Sequence, residues 1–87
     1  MRQYDRGVAT VRMFASARTA AGRGRDEVPG DTVDAVLGAA RERYGPGFAE
    51  VLASCRIWVN GEPADPATVV TADDEVAVLP PVSGGTR

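Results

Sequence analysis

Between Asp31 and Pro46 the sequence carries one complete helix, with a start, an apolar face and a stop, and no other stretch has a comparable period. Val33, Val36, Leu37, Ala40 and Tyr44 recur at spacings of three, four and seven and therefore share one side, while Asp34, Arg41, Glu42 and Arg43 point elsewhere. Asp31 or Thr32 offers a side-chain oxygen to the free amides at the helix start near Val33. Gly45 followed by Pro46 supplies the stop. A lone amphipathic helix cannot bury its own stripe, so its partner has to be a sheet built from the segments on either side.

Those segments have the matching period of two. Ala9, Val11 and Met13 alternate with Thr10 and Arg12, predicting a first strand that Phe14 closes. Ser16 to Arg25, with small side chains, two glycines and Arg18, Arg23 and Arg25, reads as an exposed connection that is solvated or docks an acidic partner. A short strand follows at Asp26 to Val28 and stops at Pro29–Gly30. After the helix, Phe48, Val51 and Leu52 suggest one more helical turn that fills the core. Ile57 to Val59 is a strand with Trp58 on the face opposite its neighbours, and Asn60–Gly61 makes a tight turn. Val69 and Val70 add a short edge strand. Thr71 to Asp74 turns the chain into a last strand of Val76, Val78 and Leu79, with Ala77 on its other side and Pro80–Pro81 as its end.

Eighty-seven residues that are 44% hydrophobic support one compact domain, 1–87, because so short a chain hides only about 60% of its unfolded surface. The ordered core is expected at about residues 8–80, with a flexible tail over 81–87. A deep pocket lined with catalytic groups would compete with this small core, so the chain reads as a partner protein rather than an enzyme. The absence of histidine removes the usual base and metal ligand, and no metal site is expected. Asp73, Asp74 and Glu75 form the one dense carboxylate cluster, but a turn brings no convergent partners to them, so they read as solvated. Net charge −2 gives no field that would attract nucleic acid, and no apolar run approaches a membrane span or a signal peptide. A cytoplasmic location is expected. Cys55 is alone, which excludes an internal disulfide and fits a buried, inert thiol in a reducing compartment.

Chemistry then falls to the end of the sequence. Pro80 and Pro81 fix φ and lack donors, so the chain leaves the sheet stiff and extended, through Val82 and Ser83, to Gly84 and Gly85. Two residues without a Cβ can thread a narrow channel in a partner. A free glycine carboxylate at that point can be adenylated with ATP and then take sulfur to become a thiocarboxylate. With no lysine among the ten basic residues, such chains cannot be linked to one another through lysine.

Phe14, Ala15, Ala17 and Arg18, then Gly22, Asp31–Thr32–Val33, Val59–Asn60–Gly61 and the whole run from Asp74 to Gly85 resemble the small subunit of molybdopterin synthase. The thiamine sulfur carrier is a more distant relative within the ubiquitin-like sulfur carriers. The likeness spans roughly residues 8 to 85 and is most specific in Pro80–Pro81–Val82–Ser83–Gly84–Gly85. It implies an α+β, β-grasp (ubiquitin-like) fold, a mixed sheet with one main helix across it. It also implies that a ubiquitin-activating-type adenylyltransferase uses ATP to activate Gly85, that a persulfide supplies sulfur, and that a synthase subunit accepts it. Carried over by position, Gly85 bears the adenylate and then the thiocarboxylate, and Gly84 lets the tail into active sites. Val78, Leu79, Pro80, Pro81, Val82 and Ser83 border the partner surface. Phe14 belongs either to that surface or to the core. The carrier itself binds no cofactor.

Three features depart from the family pattern. Thr86 and Arg87 follow the second glycine, which predicts that a peptidase removes them before the chemistry starts. Asp73 stands where the family often has glycine, and aspartate tolerates a left-handed turn. Trp58 stands where a small residue is expected and is either a partner anchor or covered by the nearby loop. Sulfur donation to molybdopterin leads the functional expectation. Donation to thiamine, cysteine or a sulfur-containing secondary metabolite is the alternative, as is conjugation of the chain to target proteins as a modifier.

Overall fold

The computed structural model describes residues 8–81. In chain order the elements are β1 (Val8–Met13), α1 (Ala15–Ala21), β2 (Arg25–Pro29), α2 (Val33–Tyr44), α3 (Pro46–Leu52), β3 (Arg56–Val59), β4 (Glu62–Pro63) and β5 (Glu75–Leu79). The five strands form one mixed sheet in the order β2-β1-β5-β3-β4. β1 and β5 lie parallel at its centre, with Met13 opposite Val78, and the other pairings are antiparallel.

Strand alternation delivers the core. Ala9, Val11 and Met13 of β1, Val28 of β2, and Val76 and Val78 of β5 point to the same side of the sheet and are buried. The expected stripe of α2 covers them through Val33, Val36, Leu37 and Ala40. Thr32 caps this helix, its hydroxyl accepting from the Ala35 amide at 3.2 Å. Gly45 ends it, and Pro46 then occupies the first turn of α3, where a missing N–H costs nothing. Phe48 and Leu52 of α3 complete one buried cluster, Phe48 meeting the Tyr44 ring edge-to-face at 5.0 Å.

Four expectations change. Ser16 to Arg25 is not an open connection: Ala15–Ala21 forms α1, which buries Ala17 and closes on the left-handed Gly22. Its alanines favour helix but are too small to display an apolar period, so the pattern is invisible in the sequence. The sheet therefore carries two short helices beside its main one. The short fourth strand is Glu62–Pro63, not Val69–Val70. Asn60 (φ 52) and Gly61 (φ 86) form a two-residue turn that lays the next residues directly back on β3. Val70 enters the core instead, its amide donating to the Asp31 carbonyl at 3.0 Å, while Val69 makes only an isolated bridge to Thr32. Leu79 shares the face of Ala77 rather than that of Val76 and Val78, as the period of two requires. Asp73 takes no left-handed conformation; among the described non-glycine residues Ala15 and Asn60 do.

A carboxylate clamp joins the helix layer to the edge of the sheet. Asp26 in β2 accepts from the Tyr44 hydroxyl at 2.5 Å and from Arg43 at 2.9 Å, with Arg23 at 3.4 Å. Arg43 also donates to the Glu27 carbonyl at 2.8 Å. Partial burial raises the Asp26 pKa, but these hydrogen bonds and that from the Glu27 amide outweigh it and hold the carboxyl below its ordinary value. Burial first, and then the Asp26 hydrogen bond, push the Tyr44 phenol up to about 12.

Candidate functional site

The root of the C-terminal segment is fixed by the central strand of the sheet. β5 is hydrogen-bonded on both sides, to β1 and to β3, and it ends at Leu79. Because β1 runs parallel to it, Phe14 emerges at the same end of the sheet, and its amide donates to the Val78 carbonyl at 3.3 Å. Because β3 runs antiparallel, Arg56 lies opposite Leu79 and Cys55 is brought there too.

Phe14 is 36% exposed, with the Arg12 guanidinium 5.5 Å from its ring centroid, so it belongs to the surface beside the root and not to the core. Leu79 and Pro80 are half-buried, and Pro81 is exposed. Val78 has to be removed from the expected partner surface. Its side chain is fully buried toward the helices, and what it offers at this end is its carbonyl. Val82, Ser83, Gly84, Gly85, Thr86 and Arg87 lie outside the described residues, as does the expected flexible tail beyond Pro81.

The surroundings of the root are basic. Arg12, Phe14, Arg18 and Arg25 line a shallow open cleft next to it, and Arg56 flanks Leu79 on the other side. Arg12 is partly neutralised by Glu75 at 3.3 Å. Sequence reasoning overlooked Arg12 and Arg56 as members of this group, since only the strand register places them beside Arg25 and Leu79. Trp58 is half-buried on the face away from the helices, opposite both Ala77 and Pro63, so β4 covers part of it and part remains open.

The other singled-out groups have structural employment. Asp74 holds the turn before β5: Asn60 donates to its carboxylate at 2.8 Å, as does the Thr71 amide. These bonds, that from Asn60 foremost, hold its pKa below the ordinary value. Cys55 is half-buried rather than fully buried; its thiol lies 3.3 Å from the Val51 carbonyl, and burial pushes its pKa up, away from the reactive thiolate. Among the described residues no three histidine, cysteine, aspartate or glutamate side chains are placed to hold a metal. No helix of the described residues is long and apolar enough to cross a membrane.

A C-terminal strand seated in the middle of a mixed sheet, with a helix across one face and the chain leaving through two prolines, defines a ubiquitin-like β-grasp protein. Residues 11–85 match the ThiS family, and the chain belongs to that family. It is 34% identical over 88 residues to a molybdopterin synthase sulfur carrier subunit of Phaeosphaeria nodorum, an alignment covering 91% of this chain and 92% of the relative. Its fold matches that of small archaeal modifier protein 1 from Methanosarcina acetivorans, with a TM-score of 0.82 and 28% identity over 92% of this chain and 98% of the other. The complex of subunits 1 and 2 of the molybdopterin-converting factor from Helicobacter pylori contains the same fold, with a TM-score of 0.68 and 24% identity over 90% of this chain and 99% of the other.

Proposed function

We propose that the chain is a sulfur carrier for molybdenum cofactor synthesis and acts as a protein cosubstrate. The observation that carries this is family membership reaching residue 85, the second glycine, together with relatives named as sulfur carrier subunits of molybdopterin synthase. In the sequence Thr86 and Arg87 follow Gly85, so a peptidase first hydrolyses the Gly85–Thr86 bond and frees the Gly85 carboxylate. An adenylyltransferase joins that carboxylate to AMP with release of pyrophosphate from ATP. A persulfide sulfur then displaces AMP, and reduction of the resulting acyl disulfide by a thiol leaves the thiocarboxylate. The carrier contributes no acid, base or metal to these steps. It contributes a glycine end narrow enough for another enzyme's channel and a root that stays folded while the end reacts. The acceptor is a second synthase subunit, and the cytoplasm, where ATP and reduced thiols are available, is the compartment.

Intact mass of the chain isolated from its host, before and after incubation with the adenylyltransferase, ATP and a sulfur source, tests the reading. Loss of Thr86 and Arg87 followed by exchange of one oxygen for sulfur is the expected result. A mass that is trimmed but gains no sulfur would refute sulfur carriage. Similarity to a protein named as a modifier supports a second reading, conjugation of Gly85 to target lysines, which would appear as higher-mass species carrying this chain. Donation of the same sulfur to thiamine, cysteine or a secondary metabolite differs only in the acceptor, and activity with each purified acceptor separates these.

A further inference from the structure

β2 stands at one end of the sheet, so one side of its backbone has no neighbouring strand among the described residues. The ladder to β1 decides which groups lie on that side. The Thr10 and Phe14 amides donate to Asp74 and Val78, toward β5, while the Met13 amide donates to the Gly24 carbonyl at 2.9 Å. In an antiparallel pair such bonds alternate, so residues 24, 26 and 28 turn their backbone groups toward β1. The N–H and C=O of Arg25 and Glu27, and the C=O of Pro29, therefore face outward. A row of this kind is a template for pairing with another chain.

Side chains occupy the centre of that row. The Glu27 amide donates to Asp26 Oδ1 at 2.8 Å, and the Glu27 carbonyl accepts from Arg43 at 2.8 Å. Arg43 is itself held by Asp26 Oδ2 at 2.9 Å, so one ion pair between β2 and α2 covers both backbone groups. Pro29 has no N–H to offer. Among the outward residues of β2, Arg25 alone keeps both its donor and its acceptor without a partner in the described chain.

Uncovered, this edge suits one occupant, a second copy of the same strand. About a two-fold axis at Asp26, Arg25 of one copy falls opposite Glu27 of the other, and each of the two equivalent pairs exchanges both of its backbone bonds. The opposed side chains then carry opposite charge, which stabilises a cross-strand pair. An axis at Arg25 or at Glu27 sets like charges opposite each other, and an axis at Glu27 also sets Pro29, without a donor, opposite Arg25. We propose that the Asp26–Arg43 pair is a lock that keeps β2 from pairing with a second copy of the chain, and that β2 is otherwise a self-complementary edge in the Arg25-to-Glu27 register. An intact Asp26 would also face its own copy across the axis, so its charge and its bond to Glu27 act in the same direction. The lock is independent of what reacts at Gly85.

Amide hydrogen exchange of the wild type and sedimentation equilibrium of variants test it on the full chain. In the wild type the Glu27 amide should exchange about tenfold more slowly than the Arg25 amide, each normalised to its unstructured rate. Asp26→Ala combined with Arg43→Met removes both covers, and its weight-average mass should climb with concentration toward twice that of the chain, while the wild type stays monomeric. Tyr44→Phe also weakens the junction of β2 and α2 but leaves both Glu27 bonds, and it should stay monomeric. Adding Arg25→Glu to the open variant sets glutamate opposite glutamate and should return it to a monomer. Equal exchange at Glu27 and Arg25, or a dimeric wild type, overturns the lock, whether or not the open variant folds. An open variant that is folded by circular dichroism yet monomeric, or that associates regardless of Arg25→Glu, overturns the self-pairing edge.

Discussion

Substituting Asp26 by alanine removes the acceptor at which β2 and the end of α2 meet. The Tyr44 hydroxyl donates to an ionised carboxylate at 2.5 Å; such bonds contribute about 1.5–3 kcal/mol, and the half-buried setting places this one near the lower end. Arg43 sits at 2.9 Å but is 42% exposed, so solvent screening reduces its share to about 0.5 kcal/mol. Arg23, 3.4 Å away and 56% exposed, adds a negligible amount. The loss is then about 2 kcal/mol, which at a slope of about 1 kcal/mol/M lowers the urea midpoint by about 2 M. A double-mutant cycle between Asp26→Ala and Tyr44→Phe should return a coupling of about 1.5 kcal/mol, and one between Asp26→Ala and Arg23→Ala a value near zero. Coupling to Arg23 as large as that to Tyr44 would refute the assignment of the energy to the phenol.

The pH dependence of the same clamp has a defined sign. The Asp26 pKa is lowered on folding, so its contribution is complete above the unfolded value of about 3.9 and fades as pH falls through the folded value. The Tyr44 pKa is raised, so its contribution is complete below about 10 and fades as pH climbs from there to about 12. The difference in urea midpoint between wild type and Asp26→Ala should therefore be flat across neutral pH and narrow at both extremes.

Gly30→Ala should cost about 3 kcal/mol or more, because at φ +149 an added Cβ would lie 2.5 Å from the Val36 amide nitrogen. Gly22→Ala, at φ +81 with nothing within 4 Å, should cost about 1 kcal/mol; equal losses in thermal melts would refute the steric argument. Phe48→Ala should cost about 3–5 kcal/mol and Phe48→Leu under about 1.5 kcal/mol by denaturant titration, since the ring is fully buried against Tyr44. Cys55 should react with iodoacetamide at neutral pH more slowly in the folded chain than in urea, as followed by intact mass, because burial keeps its thiol protonated.

What was legible in the sequence is what large side chains reveal. Val33, Val36, Leu37 and Ala40 announce α2, and alternation announces β1 and β5, because these residues must be buried and their spacing states how. α1 escaped because Ala15, Ala17, Ala20 and Ala21 fold into a helix without displaying which side is inside. β4 escaped because Glu62 and Pro63 have little strand preference of their own; the Asn60–Gly61 turn puts them in the sheet. The chemistry expected of Gly84 and Gly85 rests on composition and resemblance, and both residues lie outside the described ones. The basic row beside the root was not legible, for Arg12, Arg25 and Arg56 are separated in the chain and only the register of β1, β2, β3 and β5 assembles them.

The seating of β5 between two neighbours, one parallel and one antiparallel, has a mechanical consequence. A pull on the C-terminus runs along the strand axis, so it loads the hydrogen bonds of both ladders in shear, all at once, rather than peeling them one by one from an edge. Traction from an enzyme that grips the last residues is thereby resisted by the whole sheet. Such a domain can be drawn into a channel, held there and withdrawn again without being unravelled.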